Sequence, residues 1–138
     1  MRPLALAALA ALAGCATSPE QERRADAAEA EAQQELAAEL AGLVRGDTTS
    51  CLPVVGRTAV SSEGYGDAIV YRVSDDLKYV TRTSGGCEGV GRRDDILVTR
   101  TPQTRVCRGD IAQTFDRTSR FPTGSCSFGE FTAYRRPS

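Results

Sequence analysis

Four cysteines, Cys51, Cys87, Cys107 and Cys126, are spread along the later part of a 138-residue chain, and any fold must bring them together in pairs. An even set at wide spacing in a short sequence is the mark of a disulfide framework. A structural zinc site would want tight pairs such as C-x-x-C, which are absent here. Disulfides persist in oxidising compartments, so the framework implies export from the cytoplasm. Such cross-links suit a small domain, which buries a smaller share of its surface than a large one. Four cysteines allow three connectivities. We favour Cys87 with Cys107 and Cys51 with Cys126, since the first pair would bracket one strand and its loops while the second would join the ends of the domain.

The fifth cysteine, Cys15, stands apart. Arg2 precedes an uninterrupted Ala/Leu run from Leu4 to Leu12, and Ala13 and Gly14 follow. These are the positive, apolar and small-residue parts of an export signal. At about ten residues the apolar run falls short of the roughly 20 that span a bilayer as a helix. Leu12-Ala13-Gly14-Cys15 resembles the lipobox of bacterial lipoprotein signal peptides. The resemblance implies a signal peptide over residues 1–14, a mature chain beginning at Cys15, and lipid on that cysteine. Each buried methylene contributes about 0.8 kcal/mol, so several acyl chains would hold the protein at a membrane. By resemblance to the sorting pattern of Gram-negative lipoproteins, Ala16, where Asp would retain the protein, implies the periplasmic face of the outer membrane. With Cys15 occupied by lipid, the remaining cysteines form an even set.

Residues 15–46 are expected to be an acidic helical spacer. Ser18-Pro19-Glu20-Gln21 has the form of a helix start, with Ser18 as N-cap, Pro19 in the first turn and Gln21 reaching back. Strong helix formers follow to about Val44, a length of about 40 Å, before Gly42 and Gly46 mark the end. Leu36, Leu40 and Leu43 form a short apolar stripe, so only the last turns are expected to dock. Glu31, Glu35 and Glu39 repeat at i, i+4 and mark a solvated face. There are too few apolar heptads for a coiled coil. From Ala16 to Arg45 seven acids face three arginines, whereas from Gly46 onward eleven acids face thirteen bases. That small basic excess, without an aromatic-rich patch, argues against nucleic acid as a partner.

From Cys51 onward the period becomes alternating. Ile69, Tyr71 and Val73 alternate with Ala68, Val70 and Arg72, and after Ser74-Asp75-Asp76 the pattern resumes as Leu77, Tyr79 and Thr81, the signature of a hairpin. Further strands are expected at about Val54 to Ser61, Ile96 to Thr101, Ile111 to Asp116 and Phe128 to Tyr134. Gly64-Tyr65-Gly66, Ser84-Gly85-Gly86, Pro102 and Pro122-Thr123-Gly124 punctuate them. The fold class is therefore mainly β: a small antiparallel barrel or sandwich of about six strands over residues 47–138, with two disulfides and a preceding helix. The expected core is Ile69, Tyr71, Val73, Ile96, Val98, Ile111, Phe115, Phe128 and Phe131.

The series Cys51-Leu52-Pro53, Arg57, Cys87 with Gly89, Val106-Cys107-Arg108-Gly109-Asp110 and Cys126-Ser127-Phe128-Gly129-Glu130-Phe131 resembles a group of small exported proteobacterial domains of unknown function. The resemblance covers about Cys51 to Tyr134 and departs from the group at Glu88, where a proline is usual. It implies no activity. Arg57 and Asp110 recur in that pattern, which makes them candidates for an arginine–carboxylate pair that braces the domain or lines a shallow ligand groove.

The chain has no histidine, which removes Ser-His-Asp and Cys-His nucleophiles and imidazole acid–base catalysis. Lys78, the sole lysine, is expected on the exposed face of a hairpin. Asp75-Asp76 fit a hairpin turn, and Asp94-Asp95 beside Arg92-Arg93 fit a solvated salt-bridge cluster. Neither pair has the context of a glycosidase or a calcium loop. Arg108-Gly109-Asp110 is too short a motif to imply recognition, and Gly89-Val90-Gly91 lacks the setting of a nucleotide loop. The reading is a non-enzymatic binding or envelope-maintenance lipoprotein without metal or cofactor. Its partners are the membrane, through its lipid, and an envelope protein or cell-wall ligand. The alternative is a lysozyme-inhibitor-like defence protein.

Overall fold

A computed structural model of the chain describes residues 17–53 and 60–138. Helix α1, Pro19–Glu39, starts with the reciprocal cap that its sequence implies: Gln21 N donates to Ser18 Oγ (3.3 Å) and Ser18 N donates to Gln21 Oε1 (2.9 Å). It stops several residues before Val44. The chain reverses through Gly42, whose φ of 78° suits a residue without a Cβ, and enters strand β1, Val44–Thr49. That strand begins inside the stretch assigned to the spacer.

Six more strands follow: β2 Ser61–Tyr65, β3 Ala68–Ser74, β4 Leu77–Gly85, β5 Ile96–Arg100, β6 Ile111–Phe115 and β7 Pro122–Arg135, with a one-turn helix α2, Gly89–Arg92, between β4 and β5. They form one antiparallel sheet of order β2-β3-β4-β7-β6-β5, curled into a half-barrel. Strand β7 is the spine. One edge pairs with β4 from Cys126 to Arg135, while the other carries β6 on its first half (Ile111↔Ser127) and β1 on its second (Thr49↔Phe131, Val44↔Arg135). Pro122-Thr123-Gly124, read from sequence as punctuation, instead opens β7. Pro122 is its first residue, where a missing N–H is tolerated.

The curl gives the sheet two buried faces over β3 and β4. Inside lie Ile69, Tyr71, Tyr79, Phe128 and Phe131, the rings of Tyr71, Phe128 and Phe131 meeting at centroid distances of 6.0 to 6.3 Å. Outside, α1 lays Leu36 over Ala68, Val70 and Val80, with Leu40, Tyr65 and Tyr134 at the margin. The docking of the last helical turns follows the leucine stripe. It also corrects the placement of Lys78, which is buried at 7% exposure because α1 covers the face expected to meet water.

Of the expected core, Ile69, Tyr71, Phe128 and Phe131 are buried and Val73 packs at its edge. Ile96, Val98, Ile111 and Phe115 do not join it. The β5–β6 register pairs Leu97 with Thr114 and Thr99 with Ala112, and the side that holds Leu97, Ala112 and Thr114 faces inward. Ile96-Leu97-Val98 is apolar at three successive positions, so alternation alone did not choose the inner face.

The disulfides are Cys51–Cys107 and Cys87–Cys126, not the favoured Cys87–Cys107 and Cys51–Cys126. Strand β1 is the reason. By pairing with the second half of β7, on the edge that β6 occupies farther along, it delivers Cys51 to Cys107 at the approach to β6, where Leu52 N donates to the Val106 carbonyl. The β4–β7 register places Gly85 opposite Cys126 and so brings Cys87 beside it.

Candidate functional site

The half-barrel has β2 and β5 at the two ends of its strand order, and each, like β1, is paired on one side only among the described residues. Between them α2 is wedged against β2 at a glycine pair. A Cβ on Gly64 would stand 2.6 Å from Gly91 N, and one on Gly91 only 2.3 Å from the Gly64 carbonyl oxygen, so neither position accepts a side chain without movement. Above the wedge runs an open groove of about 740 Å³. One wall is the end of α1 (Glu35, Ala38, Glu39), the floor is β2 (Ser62–Tyr65), and the far wall is formed by Asp94, Asp95, Ile96 and Leu97 with Arg117. A smaller hollow of about 240 Å³ continues along α1 past Glu31. The i, i+4 glutamate stripe, read as merely solvated, is therefore the acidic wall of a cleft.

Ion pairs shape the groove, among them Arg72 with Glu63 at 3.8 Å. Glu39 Oε1 accepts from Arg72 Nη2 and from Lys78 Nζ, each at 2.6 Å, and Lys78 Nζ also donates to the Glu39 carbonyl at 2.6 Å. Burial is the largest single influence on the Glu39 carboxyl and raises its pKa. The combined pull of Lys78 and Arg72 outweighs it, so the group sits below its ordinary value. Across the groove Arg117 Nη2 donates to Asp94 Oδ1 at 3.0 Å.

Asp95 is buried at 2% exposure, which corrects the expectation that both aspartates are solvated. Its Oδ2 accepts from the Thr123 hydroxyl (2.7 Å) and from Arg93 (2.8 Å), and these two bonds, Thr123 first, hold its carboxyl below the usual range. Its Oδ1 has no partner among the described residues. Tyr65, on the floor, donates its hydroxyl to Glu63 (2.9 Å). Burial first and that bond second push its pKa upward, so it stays a neutral donor.

Five carboxylates, Glu35, Glu39, Glu63, Asp94 and Asp95, thus line a cleft to which one base, Arg117, contributes directly. Lys78, Arg72 and Arg93 neutralise part of that charge from behind; Glu35 and Glu63 are the acids best placed to meet a ligand. Such a surface binds cationic groups by ion pairing and hydrogen bonding. Among the described residues no cluster of three metal-ligating side chains occurs.

Cys15 and Arg57 lie outside the described residues. Asp110 is placed away from the groove: its Oδ2 accepts from Cys107 N (2.8 Å) and its own N donates to the Cys107 carbonyl (3.0 Å), closing a turn through Gly109 beside the Cys51–Cys107 bridge. Arg108-Gly109-Asp110 is that turn. Asp75 and Asp76 occupy the β3–β4 turn as expected. The groove residues were not singled out as a site by the sequence, although the glutamate stripe and the leucines behind it were the available signals. Comparison with protein-family models, with curated proteins and with solved structures finds no match.

Proposed function

We propose that this chain is a binding module of the bacterial envelope, tethered to a membrane by lipid on Cys15, which presents the acidic groove to a cationic group on an envelope protein or cell-wall polymer. The observation that carries the reading is the cysteine pairing. Cys51–Cys107 and Cys87–Cys126 consume every cysteine of the β domain, and Cys15, in its lipobox-like setting, is the one left for acylation. The groove supplies the binding half of the argument, because it is acidic, open and framed by rigid elements. The absence of histidine from the sequence removes imidazole-activated nucleophiles and imidazole acid–base catalysis, which supports a binding role.

Crosslinking in intact envelopes tests it. The native chain is expected to capture a specific partner that Cys15→Ser captures less and that Glu35→Lys with Glu63→Lys loses. Mass spectrometry of the N-terminal peptide is expected to find acyl mass on Cys15. Unmodified Cys15, or capture indifferent to the groove substitutions, would sink the reading. The acid excess of the groove also favours a second one, inhibition of a basic muramidase by charge complementarity. Unimpeded lysis of a cell-wall suspension at excess protein excludes it.

A further inference from the structure

On the outer face of β5 and β6 the residues excluded from the core form a patch of their own. Ile96, Val98 and Phe115 surround a shallow hollow of about 360 Å³ closed by Arg120. Beside it Val98, Ile111 and Phe121 are 39%, 48% and 72% exposed. Phe121 projects from the turn that leads into β7, next to Arg120.

Arginine outnumbers carboxylate along this segment. From Ile96 to Phe121 there are five arginines and two aspartates. Asp116, one of the two, has its carboxylate occupied by Thr118 N, Ser119 N and the Ser119 hydroxyl, and Asp110 is held by Cys107 N. Arg117 is engaged by Asp94 and Arg108 approaches Glu130 at 3.6 Å, which leaves Arg100, Arg105 and Arg120 without an ion pair among the described residues. Helix α1, by contrast, is acidic, with seven carboxylates and two arginines.

We propose that this face rests on an anionic lipid surface, with Phe121 inserted among the acyl chains and Arg100 and Arg120 at the headgroups. An exposed aromatic flanked by arginines meets both requirements of interfacial binding, apolar burial and attraction to anionic lipid. A second copy fits worse, since pairing two such faces would set their arginines against one another. The inference rests on the proposed tether only in supplying the bilayer. It adds an orientation: the β5–β6 face meets the membrane.

The sequence contains no tryptophan, so Phe121→Trp gives a single reporter at a position already exposed. In the full-length protein on vesicles containing phosphatidylglycerol, its emission is expected to shift to the blue and to be quenched by brominated acyl chains. Adding Arg100→Glu and Arg120→Glu should cut the quenching by about tenfold or more, each basic residue near such a surface strengthening contact about fivefold. A control tryptophan replacing Val44, which is 56% exposed on β1, should remain unquenched. A chain that floats with the vesicles while Trp emission from position 121 stays unshifted overturns the lipid contact and leaves the tether standing. A chain that does not float overturns both. A blue shift that depends on protein concentration and not on lipid assigns the face to a second copy and overturns the proposal.

Discussion

Replacing Lys78 with methionine keeps the aliphatic stem and removes the ammonium that fastens α1 to the sheet. Lys78 Nζ makes two bonds of 2.6 Å, to Glu39 Oε1 and to the Glu39 main-chain carbonyl, and the Lys78 and Glu39 side chains are 9% and 16% exposed. Removing one partner of a buried pair costs about 3 to 5 kcal/mol. Arg72 still reaches the same carboxylate oxygen at 2.6 Å, so Glu39 is not abandoned and the loss belongs at the low end, about 3 kcal/mol. For a domain of roughly this length each kcal/mol moves the melting temperature by about 4 °C, giving a fall of about 12 °C. Thermal melts followed by far-UV circular dichroism measure it. A cycle with Glu39→Gln should return a coupling well above the 0 to 1 kcal/mol typical of surface pairs. A Lys78→Met protein within 1 kcal/mol of the parent would refute the clamp and restore Lys78 to the solvated face that alternation predicted.

Other outcomes follow from the same geometry. The Glu39 carboxyl lies below its ordinary value of 4.5 in the fold; its contribution is therefore present above that value and lost as pH falls through the lowered one, so acid melts of Glu39→Gln should be shallower than those of the parent below pH 4.5. Peptide mapping without reduction should recover Cys51 with Cys107 and Cys87 with Cys126. Replacing either pair by serine should cost about 4 kcal/mol, since the spans of 56 and 39 residues differ little in loop entropy. Gly64→Ala should loosen α2 and destabilise by about 1 to 3 kcal/mol in urea titration, because its Cβ would meet Gly91 N at 2.6 Å. Glu35→Lys, on an exposed position of α1 with no ion pair among the described residues, should leave the melting temperature within a few degrees of the parent, and together with Glu63→Lys, which also gives up a 3.8 Å pair with Arg72, should abolish capture of a cationic partner.

Sequence pattern was most informative where one periodicity ruled alone. The helix start could be placed to the residue because Ser18, Pro19 and Gln21 each satisfy a different requirement of a first turn. The β3–β4 hairpin was equally plain, since Ile69, Tyr71 and Tyr79 share a face while two aspartates turn the chain. Strand β1 was hidden. Val-Arg-Gly-Asp-Thr-Thr is polar, carries a glycine and is exposed along its length, so neither alternation nor hydropathy marks it. Its existence depends on the free second half of β7. Missing β1 carried the disulfide assignment with it, because only that strand brings Cys51 to Cys107. The inner face of β5 and β6 was undetermined for a related reason: consecutive apolar residues leave the choice to the register with β7.

The groove could not be read in the same way, because none of its walls is a motif. A run of Glu31, Glu35 and Glu39 on an isolated helix is a mildly repulsive, solvated stripe. It becomes a binding wall only once Leu36 and Leu40 fix that helix against β3 and β4, and once Gly64 lets α2 close one end of the seam. The residue that secures the helix, Lys78, was the one lysine available, and alternation placed it on the outside of a hairpin. Both inferences about it were locally sound; the helix reverses the outcome by supplying a second apolar layer and, in Glu39, a counter-charge within 2.6 Å. The segment that looked like a spacer is thus a structural part of the domain, and shortening it past Leu36 should expose Val70 and Val80 and destroy the groove together with the fold's outer layer.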